Sequence, residues 1–296
     1  MEKRSFGKTG MEVSILGFGG QQIGQEQELS KVEKLLNHAL DEGLNVIDTA
    51  ECYGDSEELI GKILSHRRDE YYLFTKCGHA AGFDGEDWNP AMLEKSIDRS
   101  LKRLQTDYVD VIHLHSCSEK ILRQGAVIEV LQKAKEQGKT RFIGYSGDRT
   151  DALYAVQTGL FDSLMISLNI ADQEAIDLAL PEAVERKMGV IAKRPVANVA
   201  WTYETLPEKA YPYVYWQRLK KLQYDFLTDS ERAVLTALRF ALNVPGVSTA
   251  IVGTQKPGRW SENAKLLQSS TLSEQEYEQI RARWKEIADE DWVGKT

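Results

Sequence analysis

Tyr108-Val-Asp-Val-Ile-His-Leu-His115 leads into Val127-Ile-Glu-Val-Leu-Gln-Lys-Ala-Lys-Glu-Gln137, then Gly138, then Thr140-Arg-Phe-Ile-Gly144. The first and third runs are short, β-branched and apolar, which marks strands. The middle run repeats its apolar residues at helical spacing, and a glycine stops it. Strand, helix, strand is thus the local unit. It recurs outward in both directions. Apolar strand-like runs fall at 15–18, 45–47, 72–75, 108–114, 140–144, 163–167, 189–192 and 247–252. Between them lie helix-period segments. Ser30 reads as the cap of one that runs to Glu42. Pro90 opens another, with Met92, Leu93, Ile97, Leu101 and Leu104 on one face. Further helices are expected over 150–158, 181–187 and 229–242, and Ser273 with Glu276 forms a capping-box pattern for a last polar helix.

Strands apolar on both faces and alternating with helices describe a parallel sheet. Eight of them favour an α/β fold closed as a (β/α)8 TIM barrel over an open sheet. No G-x-G-x-x-G follows the first strand, which weakens a dinucleotide fold of the open type. Residues 4–15, with Lys8-Thr9-Gly10 in the middle, read as an N-terminal β-hairpin. Extra C-terminal helices follow the last strand. Residues 1–296 are read as a single barrel domain.

Composition narrows the function classes. A formal charge of −8, with 42% hydrophobic and 28% charged residues, is ordinary for a globular chain. It argues against nucleic acid or an anionic membrane as partner, because both attract cationic surfaces. No stretch approaches the ~20 apolar residues of a membrane span. No leader segment is visible, and Cys52, Cys77 and Cys117 form no C-x-x-C or disulfide pattern. A cytoplasmic location is expected. The connection 197–229 is too long for a simple loop. It carries Trp201, Tyr203, Tyr211, Tyr213, Tyr215 and Trp216. It reads either as a hydrophobic lid or as an aromatic patch around a short extra helix.

Barrel active sites collect at the C-terminal strand ends. Those ends carry Asp48 and Tyr53, then Lys76, then His113 and His115, then Ser146 and Asp148, then Asn169, then Lys193 and Arg194. A phenol is a poor acid at neutral pH, and a nearby ammonium stabilises its phenolate. An aspartate can hold that lysine charged. A histidine can donate to a carbonyl oxygen and orient it. Together the four suit protonation of a carbonyl oxygen while hydride reaches its carbon. His113-x-His115 could instead be half of a metal site, but His38 and His66 read as lying on outer helices and His79 beyond Lys76, too few converging ligands, so no metal is expected. A Schiff base on Lys76 would leave Tyr53 unexplained.

Several segments resemble the aldo-keto reductase family. They are Asn45-Val-Ile-Asp48 through Tyr53-Gly54 to Gly61, Phe74-Thr-Lys76, Asp107 to His115, Gly138 to Ser146, Ile251-Val-Gly253-Thr254, and Arg259-Trp-Ser-Glu262-Asn263. The resemblance covers essentially the whole chain. It implies a (β/α)8 barrel that uses NADPH, with NADH less favoured, to reduce a small aldehyde or ketone. It also implies that Tyr53 is the general acid, Lys76 and Asp48 its tuning pair, and His115 the carbonyl-orienting group. Asp110 plus five residues selects His115, which leaves His113 one layer deeper. Ser146, Asn169, Lys193, Arg194, Gly253, Thr254, Lys256, Arg259, Glu262 and Asn263 are then the expected cofactor contacts. Arg259 would meet the adenosine 2′-phosphate, and Glu262 and Asn263 the adenine. Phosphate also suits the helix start expected at Pro257-Gly258-Arg259.

The chain departs from the family pattern where the nicotinamide is gripped. Gly147 stands where an Asn is common, and Met165 where a Gln is common. This keeps open an alternative on the same fold, a slow or non-catalytic subunit that senses the nucleotide. Each cysteine also falls within two residues of a proposed catalytic group. That is either coincidence or a route to thiol-based inactivation.

Overall fold

The computed structural model describes residues 1–26, 28–256, 258–269 and 271–295. Two short strands, β1 (Lys3–Ser5) and β2 (Glu12–Ser14), pair antiparallel as the hairpin. Eight parallel strands follow: β3 (Leu16–Gly19), β4 (Val46–Asp48), β5 (Tyr72–Cys77), β6 (Val109–His115), β7 (Thr140–Ser146), β8 (Ser163–Ser167), β9 (Gly189–Lys193) and β10 (Val247–Val252). Each pairs with the next in order and β10 closes on β3, so the barrel is complete. All eight expected strands are present, each displaced by at most two residues at its ends.

Val46, Phe74, Val111, Met165 and Ile191 point inward and meet Phe6, Met11 and Val13 of the hairpin. Lys8 N–H donates to Lys187 O just before β9, and Phe6 and Phe74 rings stand 5.3 Å apart. The hairpin therefore plugs the N-terminal mouth, which leaves the opposite mouth for chemistry. Outside the strands, helix Leu29–Asp41 buries Val32, Leu35, Leu36, Ala39 and Leu40, one apolar stripe at helical spacing. Each of the valine and leucine side chains contributes about 1.5–3 kcal/mol on leaving water. Ser30 lies inside the first turn of this helix and does not cap it. Asn89 does cap helix Pro90–Leu104, accepting from Ala91 N and Met92 N, and the Ser273–Glu276 capping box is formed.

The connection after β9 combines the two alternatives raised by its aromatics. Part of it is the helix Tyr213–Leu222, whose Tyr215, Leu219 and Leu222 join Phe240, Ile280 and Trp292 in a second apolar cluster. Trp201, Tyr203 and Tyr211 instead line the open mouth of the barrel. The helix expected over 181–187 is found at Leu180–Glu185, preceded by a separate short helix, Glu174–Leu178. A further helix, Ser56–Leu64, follows Tyr53. Arg259–Ser269 is helical, whereas the helix start read at Pro257 lies outside the described residues. Among the described residues, no helix is long and apolar enough to cross a membrane.

Candidate active site

β4 ends at Asp48 and β5 passes Lys76 beside it. Lys76 Nζ donates to Asp48 Oδ1 at 2.9 Å, to Asp48 Oδ2 at 2.7 Å and to Thr49 O at 2.7 Å. Both side chains are 2% exposed. Burial works against the ammonium, but Asp48 outweighs it, with help from Tyr53, and holds Lys76 above the ordinary lysine value. The turn after β4 brings Tyr53 over this pair, with Lys76 Nζ 4.8 Å from the ring centroid. His115, at the end of β6, meets the Tyr53 ring edge-on, with the centroids 6.0 Å apart.

The Lys76 charge lowers the affinity of the Tyr53 oxygen for its proton, as expected, but desolvation is larger and the phenol stays above its ordinary value. It is therefore a neutral phenol at physiological pH. Burial, then the Lys76 charge, pushes His115 well below the usual imidazole range, so it is neutral too. His113 sits a layer deeper, fully buried, with its Nε2 2.7 Å from Ser163 Oγ. Its partner across the ladder is Gly144, where a Cβ would collide with the His113 ring.

A groove of about 1130 Å³ runs from these residues along the barrel mouth. It is lined by Asp48, Tyr53, Lys76 and His115 at one end and by Gly253, Thr254, Lys256, Arg259 and Asn263 at the other. Ser146, Lys193 and Arg194 lie between. Lys193 Nζ pairs with Asp148 Oδ2 at 2.8 Å. Arg194 Nε donates to Tyr211 OH at 2.8 Å and its Nη1 to Ser167 Oγ at 2.6 Å. Arg259 Nη1 pairs with Glu262 Oε2 at 2.5 Å. The volume exceeds the roughly 300–1,000 Å³ of common small-ligand pockets. Lys31, Lys256 and Arg259 bring three basic side chains to the groove although the whole chain is acidic, Lys31 and Arg259 each already paired with a carboxylate, Glu26 and Glu262.

Two expected contacts are not brought to the groove. Asn169 is fully buried, and its amide donates to Arg194 O and accepts from Ala171 N, so its side chain closes a loop. Glu262 does not line the groove and touches it only through its pair with Arg259. The structure also explains Gly147. A Cβ there would lie 2.5 Å from Tyr145 Oη, and that hydroxyl donates to Cys117 O at 2.6 Å. Met165 is 1% exposed at the groove floor.

Sequence reading missed Gln22 and Lys31, which follow β3, and Asn198. The signal was available for Gln22, since β3 has a C-terminal end like the other strands. Of the cysteines, Cys77 and Cys117 are buried. Cys52 is exposed but turns its sulfur towards His115, and desolvation, then Glu51, pushes its thiol up to about 12. That is the opposite of an activated thiolate.

The model of the Aldo/keto reductase family matches residues 15–285. An L-galactose dehydrogenase from Arabidopsis thaliana is 30% identical, covering 99% of this chain and 97% of its own. An uncharacterized oxidoreductase, YqkF, from Bacillus subtilis is 28% identical over 97% of both chains. The aldo-keto reductase AKR11C1 from Bacillus halodurans, in its holo form, superposes with a TM-score of 0.84 at 26% identity over 99% of each chain. A closed eight-stranded barrel, a buried aspartate–lysine pair beneath a tyrosine and a family match over most of its length agree: this chain belongs to the aldo/keto reductase family.

Proposed function

We propose that this chain reduces an aldehyde or ketone to an alcohol, reversibly, with NADPH in preference to NADH. The observation that carries the reading is the buried Asp48–Lys76 pair beneath Tyr53, with His115 at the ring's edge, in a groove of about 1130 Å³. Arg259, Lys256, Thr254, Gly253 and Asn263 would hold the adenosine phosphate end. Ser146, Lys193 and Arg194 would border the nicotinamide end. Bound NADPH supplies a hydride for the carbonyl carbon.

The chain's own residues handle the oxygen. Tyr53 is protonated at neutral pH and can give its proton to the oxygen as negative charge develops there. Lys76, kept charged by Asp48, then stabilises the phenolate left behind. Neutral His115 has an N–H to point at the same oxygen and fixes the carbonyl face. In the oxidative direction the same groups run backwards, consistent with a dehydrogenase among the relatives. An acidic chain suits a small neutral carbonyl compound as partner rather than nucleic acid or membrane.

The slow nucleotide-sensing alternative draws on Gly147, pinned by Tyr145, and on Asn169, committed to its own loop. These weaken the nicotinamide grip but leave the proton-transfer set intact. Tyr53→Phe tests the choice. Initial rates, followed by loss of NADPH absorbance over a panel of aldehydes and ketones, should fall ~10²–10⁴-fold. NADPH affinity, read by fluorescence, should hold within about twofold, because the phenol's role is proton transfer. Undiminished activity in Tyr53→Phe would sink the mechanism.

A further inference from the structure

Cys52, His79 and His115 come from the ends of three successive strands, separated in sequence by whole strand–helix units. The barrel places one ligand atom of each within 4.8 Å of the others. Cys52 Sγ lies 3.7 Å from His115 Nδ1, and the two imidazole rings meet edge-on with centroids 4.9 Å apart. We propose that these three residues form a transition-metal site of the zinc(II) type on the rim of the groove, with a fourth coordination position open.

A tetrahedral zinc ion with one thiolate and one imidazole holds its S and N about 3.5 Å apart, given Zn–S ≈ 2.3 Å and Zn–N ≈ 2.0 Å. The Cys52–His115 separation of 3.7 Å already meets this. The widest separation, at most 4.8 Å, must close by about 1 Å, and Cys52 and His79 both lie outside the strands that would resist it. A second observation points the same way. His79 Nδ1–H donates to Asp87 Oδ2 at 2.9 Å, while Asp87 Oδ1 accepts from Ala80 N at 2.8 Å. The carboxylate fixes the tautomer and leaves His79 Nε2 as the free ligand atom, the arrangement that supports histidines on zinc. Trp88 Nε1 donates to His115 O at 2.9 Å and steadies the third ligand. Thiolate with two imidazoles selects zinc and its soft neighbours over magnesium or calcium. The nearby Lys76 charge opposes a cation, but Asp48 neutralises it at 2.7 Å. On binding, Cys52 releases its thiol proton to solvent as the sulfur–metal bond forms.

The consequence rests on the reductase reading. A metal ion on His115 Nδ1 fixes the imidazole in the orientation the metal site demands rather than the one the carbonyl oxygen needs, so zinc should inhibit reversibly. The site itself is tested without turnover. Cobalt(II) is titrated into the full chain with no nucleotide or carbonyl present, and thiolate-to-cobalt charge-transfer and tetrahedral ligand-field bands are followed. They should saturate at about one equivalent and be displaced by zinc(II), which such a site binds more tightly than cobalt. Cys52→Ser should abolish the charge-transfer band, and Asp87→Asn should weaken binding ~10–100-fold. Zinc should inhibit the native chain, EDTA should restore it, and Cys52→Ser should resist. Absence of a saturable thiolate band in the native chain, or an unchanged spectrum in Cys52→Ser, overturns the site. Full activity in Tyr53→Phe would overturn the reductase reading alone and leave the cobalt spectrum standing.

Discussion

Lys76→Met removes one partner from a pair in which both side chains are 2% exposed. Asp48 then keeps its carboxylate in the barrel mouth without its hydrogen-bonded cation. Breaking a buried pair from one side costs about 3–5 kcal/mol, because an uncompensated charge stays behind. The carboxylate can escape that cost by taking a proton. Burial already lifts Asp48 above its ordinary value, and Lys76 is the main force opposing this. In the variant, the folded state therefore binds that proton more tightly than the unfolded chain. A carboxyl with a raised folded-state pKa loses stability as pH rises past the unfolded value of about 3.9, at about 1.4 kcal/mol per pH unit, until it ionises in the folded state. The penalty should be small near pH 4 and approach its full size by pH 7. Urea unfolding, followed by fluorescence of the six tryptophans at several pH values, reads it directly. Adding Asp48→Asn should recover most of the loss at pH 7, since the charge is then gone. A cost below about 1 kcal/mol at pH 7, or the same cost at both pH values, would refute the reasoning that the two form a buried ion pair.

Arg259→Ala should weaken NADPH by roughly 10- to 100-fold, from about 1.5–3 kcal/mol of charge-assisted hydrogen bonding, and leave NADH little changed. Fluorescence titration with both nucleotides checks this, and equal losses would show that the guanidinium does not meet the 2′-phosphate. Gly147→Asn should force Tyr145 off Cys117 O and cost about 1–3 kcal/mol, which calorimetry would read as about 2–4 °C of thermal midpoint per kcal/mol. An unchanged midpoint would mean that Tyr145 has room to move. The pH profile of kcat/KM for reduction should show no histidine limb near 6.5, because His115 is neutral well below that value. It should fall only at alkaline pH, where Tyr53 gives up a proton held above its ordinary value. A loss of rate centred near pH 6.5 would contradict the burial of His115.

The order of the barrel was legible because it is written locally. Each strand-like run is short and apolar on both faces, and each helix carries its own stripe and stop, as in 127–138. The candidate catalytic set was legible for a related reason. A closed parallel barrel sends every strand's C-terminal end to one mouth, so knowing that Asp48, Lys76 and His115 end strands already brings them together. Tyr53, five residues past Asp48, follows in the next turn.

What depended on three-dimensional packing could not be read this way. Asn169 looked like a groove residue, but its amide is bound within its own loop. Gly147 looked like a lost grip, and only the Tyr145 ring packed over it shows why no side chain fits. The direction of the Tyr53 shift needed the depth of burial, since desolvation and the Lys76 charge oppose each other and only coordinates say which is larger. Too few metal ligands were expected to converge, yet the ligand atoms of Cys52, His79 and His115 lie within 4.8 Å. Chain patterning alone determined the barrel, its N-terminal hairpin and the strand-end positions of Asp48, Tyr53, Lys76 and His115, because periodicity and strand-end position are properties of short segments. Which side chains are free, which are spent on neighbours and which meet across strand ends was decided by the tertiary structure, because hydrogen bonds, desolvation and metal-scale distances depend on atoms from segments the sequence keeps far apart.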